Sequence, residues 1–287
     1  MMQIEVITGP TASGKTDLAL QRAAANPAIE IVNADASLLY RGFDIGTAKP
    51  SKETMRRIPH HLIDLLKPDK RFNAAEYASL AREVIREIIS EGKIPIVVGG
   101  TGFYIDALFF GITPFESDPE KIEQARIKVA KLIEESGFEE MLNKLQNIDP
   151  ILHEQISRER NPRRLERAWE FYYATGMPLG EARKVKPEPF EFEPVFTLIE
   201  VEKEELRKRI IKRIDGMLNA GWLKEVEYLI ARGITVDMPA MHAIGYRELA
   251  EVLRKEKTLE EAKEEIIIGT RHYAKRQVTW MKRYKKS

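Results

Sequence analysis

Short apolar runs alternate with amphipathic stretches over the first third of the chain. The apolar runs at 4–8, Ile29–Asn33 and 94–98 have the length and composition of buried strands. Residues 17–25 have helical composition, and Ala74–Ser90 has a helical periodicity that is carried by Tyr77, Leu80, Val84 and Ile88. Because strands separated by helices need right-handed crossovers, this pattern predicts a parallel sheet covered on both faces.

The middle of the chain has a different pattern. From about Pro114 to Phe190 it is almost wholly helical and highly charged, and a Pro187-Glu188-Pro189 stretch stands near its end. Prolines at both ends of a helical segment are typical of a boundary between structural units. We therefore predict an inserted all-helical module over 114–190.

The pattern after this module returns to that of the first part. Residues 195–201 have strand composition, and 203–286 are helical with a strongly basic end. The predicted fold class is therefore α/β, with a parallel-sheet core formed by 1–113 and 191–287. This core carries the helical insertion and ends in a helical C-terminal region.

Amino-acid composition narrows the possible functions less than the pattern of hydrophobic and polar positions does. Hydrophobic residues make up 43% and charged residues 32% of the chain, which is typical of a globular protein rather than a disordered one. The net charge is only +1, so any nucleic-acid partner has to be argued from local basic surfaces. Cysteine is absent, which excludes disulfides and thiolate metal sites. Neither a signal-peptide pattern nor a membrane-spanning apolar run is present, so we expect a cytoplasmic protein.

A phosphate-binding motif follows the first predicted strand and opens the first predicted helix. It has the pattern G-x-x-x-x-G-K-S/T, as found in ATP-binding loops, and runs Gly9-Pro10-Thr11-Ala12-Ser13-Gly14-Lys15-Thr16. Backbone N–H groups and the helix N-terminus attract phosphate, Lys15 adds a positive charge, and the Thr16 hydroxyl can ligate Mg²⁺. The alternative is an ordinary glycine-containing turn. The strand–motif–helix order favours a phosphate site, so we predict a core of the P-loop type.

The residues after the other two strands indicate which phosphate chemistry is involved. The strand at 94–98 ends in Gly99-Gly100-Thr101-Gly102, without the acidic residue that usually holds Mg²⁺ in ATPases. The carboxylate at a strand end is Asp35 instead. Since the carboxyl ends of parallel strands line the ligand crevice, Asp35 and Thr101 should lie near the phosphates. Asp35 suits chemistry on an acceptor; the alternative is a simple helix cap.

Several longer motifs, in the same order, resemble those of the tRNA dimethylallyltransferase (tRNA isopentenyltransferase) family over nearly the whole chain. Besides the phosphate-binding motif they are Asn33-Ala34-Asp35, Tyr40-Arg41-Gly42-Phe43-Asp44-Ile45-Gly46-Thr47-Ala48-Lys49-Pro50, Pro59-His60-His61-Leu62-Ile63-Asp64, Val98-Gly99-Gly100-Thr101-Gly102-Phe103-Tyr104, Ala243-Ile244-Gly245-Tyr246-Arg247-Glu248 and Thr270-Arg271-His272-Tyr273-Ala274-Lys275-Arg276-Gln277-Val278-Thr279-Trp280.

The resemblance implies an enzyme that transfers a dimethylallyl group from dimethylallyl diphosphate to the N6 amine of the adenosine 3′ of the anticodon in tRNA. The phosphate-binding motif would hold the diphosphate together with Mg²⁺. Asp35 would act as general base, and Thr101 would assist at the acceptor. Arg209 and Arg213 match arginines placed to reach the diphosphate, and which of them does so stays open. We expect a monomer that binds the anticodon stem-loop.

Two motifs depart from the family pattern. Where the family has Asp-Ser-x-Gln at its acceptor site, this chain has Asp35-Ala36-Ser37-Leu38, which leaves the details of acceptor recognition open. The tRNA-contacting Gln-Arg-x-x-Arg appears as Arg163-Arg164-Leu165-Glu166-Arg167, in which Arg164 and Arg167 should share one helix face. Considered without the family resemblance, this arginine cluster is more simply interpreted as a solvent-exposed helix face. Arg126 matches a further tRNA-contacting arginine if three residues are inserted before it.

Two further groups of basic residues each have alternative interpretations, and three other functions are rivals to the one that the resemblance implies. The His60-His61 pair favours structural roles over metal binding. The basic C-terminus, with Lys275-Arg276, Lys282-Arg283 and Lys285-Lys286 around Trp280 and Tyr284, suits either a phosphate backbone or solvent. The rivals are a small-molecule kinase, a prenyltransferase of free adenine nucleotides and a non-catalytic RNA-binding module.

Overall fold

The computed structural model describes residues 2–112, 118–185 and 187–286. It divides into one compact unit formed by Met1–Gly111 with Pro189–Ser287, here called the core unit, and a second formed by Ile112–Glu188, here called the helical unit. The sequence placed the insertion at 114–190, close to these bounds. Pro114, its predicted first residue, lies outside the described residues.

A single parallel sheet of five strands forms the centre of the core unit. In chain order the strands are β1 (Gln3–Thr8), β2 (Ile29–Asn33), β3 (His60–His61), β4 (Ile94–Gly99) and β5 (Glu193–Leu198). Their spatial order is β3-β2-β4-β1-β5, and every pairing is parallel. Thr8 pairs with Gly99 and Asn33 with Val98, so the carboxyl ends of the three central strands lie at one edge.

Helices account for most of the remaining chain. In chain order they are α1 (Lys15–Ala25), α2 (Lys52–Arg57), α3 (Ala74–Ser90), α4 (Gly102–Phe110), α5 (Pro119–Gln146), α6 (Pro150–Glu159), α7 (Pro162–Thr175), α8 (Leu179–Ala182), α9 (Lys203–Asn219), α10 (Trp222–Ala231), α11 (Tyr246–Leu253) and α12 (Leu259–Met281). Helices α5 to α8 belong to the helical unit and the others to the core unit. The α/β class with a helical insertion and a helical C-terminal region is therefore confirmed. None of the described helices combines the length and apolar character needed to cross a membrane.

The predicted elements differ from the observed ones in several places, including β3, which the sequence did not predict. Helix α1 begins two residues before the predicted start at Asp17. In α3 the bounds agree, but Leu80 is 38% exposed and the buried face instead includes Ala81 and Ile85, because the helix packs along a slightly different stripe. The strand predicted at 195–201 is β5, which ends at Leu198 because its partner strand β1 ends at Thr8, the residue that pairs with it.

The helical unit has an apolar centre of its own. Its helices α6 and α7 begin with Pro at the first turn behind the side-chain caps Asp149 and Asn161. Within α5 the backbone of Gly137 is non-helical, so two helical segments meet there. Trp169 of α7 is buried and donates a hydrogen bond to the carbonyl of Met141, at 3.1 Å. This unit therefore folds around contacts between α5, α6 and α7.

Candidate active site

The phosphate-binding motif forms the loop between β1 and α1. Gly14 caps α1 with a φ of 95°, a left-handed conformation that glycine adopts without strain. The first backbone N–H groups of a helix have no partner within the helix, so the N-terminus of α1 presents donors and partial positive charge to an anion. The N–H of Thr11 is already used, since it donates to the Gln277 side chain at 2.8 Å. The N–H of Ser13 donates to the carbonyl of Pro10 at 3.2 Å, so a phosphate bound here would depend on the N–H groups of residues 12 and 14–16.

Lys15 is held inside this loop. Its ammonium group donates to the carbonyls of Gly9 at 2.9 Å and Pro10 at 2.8 Å. Burial lowers the pKa of Lys15 to about 8, while the negative charge of Asp35 opposes this shift and the positive charge of Arg213 adds to it. The ammonium has three donors, so one remains for a ligand. A bound phosphate would favour the charged form of Lys15.

Asp35 stands directly after β2, and the side chain of Asn33 fixes its backbone. The Asn33 carbonyl oxygen accepts from the N–H of Asp35 at 2.9 Å, and its amide donates to the Asp35 carbonyl at 3.0 Å. Asp35 also caps the short 3-10 helix at Ala36–Leu39, because its Oδ1 accepts from the Ser37 N–H at 3.0 Å and the Ser37 hydroxyl at 2.7 Å. The capping role considered from sequence is thus real. Within the described residues these hydrogen bonds all fall on Oδ1, so capping leaves Oδ2 for another partner.

Thr101 connects this segment to the end of β4. Its hydroxyl oxygen accepts from the N–H of Ala36 at 3.0 Å, and its own N–H donates to the carbonyl of Ala34 at 3.1 Å. Burial raises the pKa of Tyr273 on α12, the charge of Asp35 adds to this rise, and hydrogen bonds from Thr101 and Gln277 oppose it. Thr101, Tyr273 and Asp35 are therefore neighbours.

A cavity of about 60 Å³ brings part of the predicted site together, although Thr101 is not among the described residues that line it. Lys15, Thr16, Asp35 and Arg213 line it, as do Thr11, Leu38 and His60. A second cavity of about 440 Å³ shares Ala48, Pro50 and Arg213 with the first and is lined further by Asp44, Lys49, Met55, Asp64 and Met217. Arg213 therefore borders both spaces, beside the phosphate-binding loop.

Arg209 lies one turn before Arg213 on α9 but is placed differently. Its residue is exposed, and its guanidinium donates to the carboxylate of Glu205 at 2.8 Å. Arg209 is not among the described residues that line either cavity. Of the two predicted arginines, Arg213 is thus the one that the fold brings to the phosphate-binding loop.

His60 borders the cavity although its pattern indicated only a structural role. Its Nδ1 lies 2.7 Å from the carbonyl of Ile58, which can only accept, so Nδ1 carries a proton. Burial lowers the pKa of His60, which favours a neutral ring whose Nε2 is an acceptor. Neighbouring His61 bonds to Glu30 at 2.6 Å. Over the described ranges, no group of three or more His, Cys, Asp or Glu side chains is arranged to hold a metal ion.

Comparison with known proteins identifies the family. The family described as IPP transferase matches residues 38–284. The chain belongs to the IPP transferase family. The tRNA dimethylallyltransferase 2 of Geotalea uraniireducens is 42% identical over 281 residues, which cover 97% of this chain and 89% of that protein. Both the phosphate-binding loop and Asp35 precede the family match, so their assignment depends on the geometry described above.

Solved structures show the same fold. The tRNA delta(2)-isopentenylpyrophosphate transferase of Staphylococcus epidermidis has a TM-score of 0.69 at 37% identity, with 98% of this chain and 90% of that chain covered. A eukaryotic dimethylallyltransferase acting on tRNA has a TM-score of 0.78 at 28% identity, with 98% of this chain and 70% of that chain covered. The similarity therefore spans nearly the full length of this IPP transferase.

The predicted tRNA-contacting arginines of this IPP transferase all lie in the helical unit and are ion-paired with glutamates. Arg163 contacts Glu166 at 2.6 Å and Glu170 at 3.3 Å, Arg164 contacts Glu159 at 2.6 Å, and Arg167 contacts Glu170 at 3.4 Å. Arg126 contacts Glu123 at 3.1 Å. Arg183, which was not among the predicted residues, has a pKa that is lowered by burial and by the positive charges of Arg164 and Arg167. Because these charges affect its pKa, Arg183 lies near the arginine cluster.

The basic C-terminal segment packs against the rest of the core unit. Trp280 donates to the carboxylate of Asp106 at 3.1 Å, and Arg283 donates to the same carboxylate at 3.0 Å. Tyr284 stacks on Phe196 with ring centroids 4.1 Å apart. Lys285 forms an ion pair with Glu200, and the Lys286 side chain lies outside the described residues. The aromatic side chains of this segment therefore pack against the core unit, a role that neither interpretation of the basic segment gave them.

Proposed function

We propose that this protein transfers a dimethylallyl group from dimethylallyl diphosphate to the exocyclic N6 amine of the adenosine 3′ of the anticodon in tRNA. The observation that carries the proposal is one cavity lined by Lys15, Arg213 and Asp35. The two cations suit a diphosphate, and the carboxylate suits an amine that must lose a proton. Membership of the IPP transferase family supports the same chemistry.

On the donor side, the main task is to stabilise a leaving group. As the allylic carbon–oxygen bond breaks, negative charge accumulates on the diphosphate, and fixed donors at that position lower the barrier. The N-terminus of α1, the ammonium of Lys15 and the guanidinium of Arg213 are the donors that the fold holds there. Lys15 and Arg213 contribute full charges, so the site favours a highly charged diphosphate over a neutral ligand.

Mg²⁺ fits the donor side. The Thr16 hydroxyl lines the cavity and is an oxygen ligand of the kind Mg²⁺ prefers. The small number of protein carboxylates also fits a metal that keeps its waters and binds chiefly through substrate phosphates. When bound, Mg²⁺ would neutralise part of the charge on the diphosphate. Thr16 is the residue proposed to hold it.

On the acceptor side, a carboxylate has to remove a proton. The exocyclic amine of adenine is a poor base, so its proton must leave as the new nitrogen–carbon bond forms, and a carboxylate within hydrogen-bond reach can accept it. Asp35 Oδ2 is proposed for this role, while Oδ1 keeps the Ser37 cap. The Thr101 hydroxyl, tied to the N–H of Ala36, is proposed to assist at the acceptor.

Recognition of the acceptor requires an unstacked base and a surface for the RNA backbone. A stacked adenine in the anticodon loop has to turn out before its amine can reach Asp35. Leu38, which stands where the family motif has a glutamine, lines the cavity and offers an apolar contact instead of an amide. The tRNA phosphates are proposed to contact four arginines of the helical unit, Arg126, Arg163, Arg164 and Arg167. Each arginine would then exchange its glutamate partner for a phosphate.

The experiment that tests the proposal compares acceptors. The protein is incubated with Mg²⁺ and dimethylallyl diphosphate together with tRNA, adenosine monophosphate or no acceptor, and the nucleosides are analysed by mass spectrometry. We expect a prenylated adenosine from tRNA alone, without ATP. Prenylated adenosine monophosphate would indicate an enzyme of free nucleotides, and an ATP requirement would indicate a kinase. Binding of tRNA without turnover would indicate a non-catalytic module.

A further inference from the structure

The side chain of Gln277 joins two loops that are far apart in sequence. Gln277 lies on α12 and is only 5% exposed. Its Oε1 accepts from the backbone N–H of Thr11 at 2.8 Å, and its Nε2 donates to the carbonyl of Gly100 at 3.0 Å. A carboxamide is neutral and has both an acceptor and a donor, so it satisfies the two loops at once. A buried side chain that lacked the acceptor or the donor would leave one of the two loops without its hydrogen bond.

The fit around this amide is close. A Cβ atom added at Gly100 would lie 2.1 Å from Gln277 Nε2, so the turn approaches the amide to a distance that only glycine permits. Other side chains at and just beyond the end of α12 bind the same region, since Trp280 donates to Asp106 and Tyr284 donates to the carbonyl of Gly102. The hydrogen bond that Gln277 Oε1 accepts from the Thr11 N–H links α12 to the phosphate-binding loop.

The two loops belong to opposite sides of the proposed reaction. Thr11 lies in the loop for the diphosphate. Gly100 lies in the turn that leads to Thr101, whose hydroxyl is bonded to the N–H beside Asp35. Transfer requires the allylic carbon and the acceptor nitrogen to approach to about 3–3.5 Å, and a misplacement of about 1 Å can cost about 100-fold in rate. A link between the two loops would set this separation.

We propose that Gln277 is a positioning residue that keeps the diphosphate loop in register with the acceptor side of the site. The inference rests on the proposed prenyl transfer and adds a residue that touches neither substrate. Its effect is on the rate of transfer by the bound complex, because the side chains proposed to contact the diphosphate and the tRNA are retained when Gln277 is replaced.

Two substitutions separate this role from a purely structural one. Gln277→Leu keeps the approximate size but removes both hydrogen bonds, and we expect kcat to fall about 100-fold while the Kd of tRNA stays within about threefold. Gln277→Glu can bond to both loops only when protonated, because an ionised carboxylate would face the carbonyl of Gly100. Its kcat relative to the unchanged protein should therefore rise as the pH falls from 8 to 6.

The matched control is Gln21→Glu, which makes the same chemical change at an exposed position of α1. Its kcat should equal that of the unchanged protein at every pH. A lowered melting temperature with normal kcat in both Gln277 variants would show that the residue only stabilises the fold. A pH-independent ratio for Gln277→Glu would also overturn the proposal. If the unchanged protein fails to prenylate tRNA, the proposed function itself is at fault, and the role of Gln277 in transfer falls with it.

Discussion

The core unit and the helical unit hold their positive charges in different ways. In the core unit, Lys15 and Arg213 line one cavity, and neither forms an ion pair with a described carboxylate; burial lowers the pKa of both. In the helical unit, Arg163 and Arg164 are paired with glutamates at 2.6 Å. A ligand anion in the core site would therefore add to the nearby negative charge of Asp35, whereas a phosphate at the helical unit would replace compensation already present.

This difference predicts different effect sizes. A buried charge that meets its partner only in the complex contributes strongly to binding, since hydrogen bonds to charged groups are worth about 1.5–3 kcal/mol. Exposed ion pairs such as that of Arg164 with Glu159 are worth about 0–1 kcal/mol, so exchanging this glutamate for a phosphate yields little. Arg163 and Arg167 share Glu170, whose side chain is only 5% exposed, so their removal should also lower the free energy of unfolding by leaving a buried carboxylate with fewer partners. Substitutions in the core site should therefore have large individual effects, and those in the helical unit should act mainly as a sum.

The largest effect is expected at Asp35. Asp35→Asn keeps an acceptor for the Ser37 N–H but removes the base, so kcat for prenyl transfer should fall by about 10²–10⁴. Binding of tRNA, measured by filter retention, should change only a few-fold because the basic surface is untouched. Asp35→Ala removes the cap as well and should also lower the free energy of unfolding by about 0.5–2 kcal/mol. Near-normal turnover by the Asn variant would mean that Asp35 is only a cap.

The second-largest effect is expected on the binding of dimethylallyl diphosphate, and it should distinguish the roles of the two arginines of α9. Arg213→Gln removes a cation beside Lys15, so we expect the KM for dimethylallyl diphosphate to rise about 10–100-fold, equivalent to about 1.4–2.8 kcal/mol. Arg209→Gln is the matched change at the exposed, Glu205-paired position and should alter this KM less than about threefold. Steady-state kinetics at saturating tRNA measure both values. The reverse order would place the diphosphate near Arg209.

The smallest individual effects are expected in the helical unit. Replacing Arg163, Arg164 and Arg167 together by Ala should weaken tRNA binding and lower the slope of log affinity against log salt by roughly 0.7–0.9 for each tRNA phosphate that the variant no longer neutralises. The affinity for dimethylallyl diphosphate should not change. The control replaces three other exposed, glutamate-paired residues of this unit, Lys131, Lys144 and Arg158. An unchanged slope in the first variant would show that the cluster is a solvated face.

Local sequence patterns predicted the parts of the fold that depend on local chemistry. The buried strands β1, β2 and β4 are short and mostly apolar, with Glu5 and Glu30 as charged exceptions, and the phosphate-binding loop is a contiguous motif. Strand β3 was missed because it has two residues, both histidines, and is defined only by its pairing with β2. The tip of the basic C-terminus gave no signal of its ion pair with Glu200, which depends on tertiary packing.

The site was predicted less completely because its remaining features depend on long-range contacts. Arg209 and Arg213 lie one turn apart on α9, and only the packing of that helix decides which of them borders the cavity. His60 became a neutral acceptor because its Nδ1 meets the carbonyl of Ile58. Gln277 stands 266 positions from Thr11, so no local pattern could have linked them.

The most direct test of the contrast between the two units is the proton uptake that accompanies binding of dimethylallyl diphosphate. With a pKa of about 8, Lys15 is about half neutral at pH 8, and the bound diphosphate raises this pKa. Calorimetry in buffers of different ionisation enthalpy should show uptake of about half a proton at pH 8 and little at pH 6, with affinity falling as the pH rises above 8. Lys15→Arg, whose charge is fixed, should show no uptake. Absence of uptake by the unchanged protein, with an affinity that is flat from pH 6 to 9, would contradict the account.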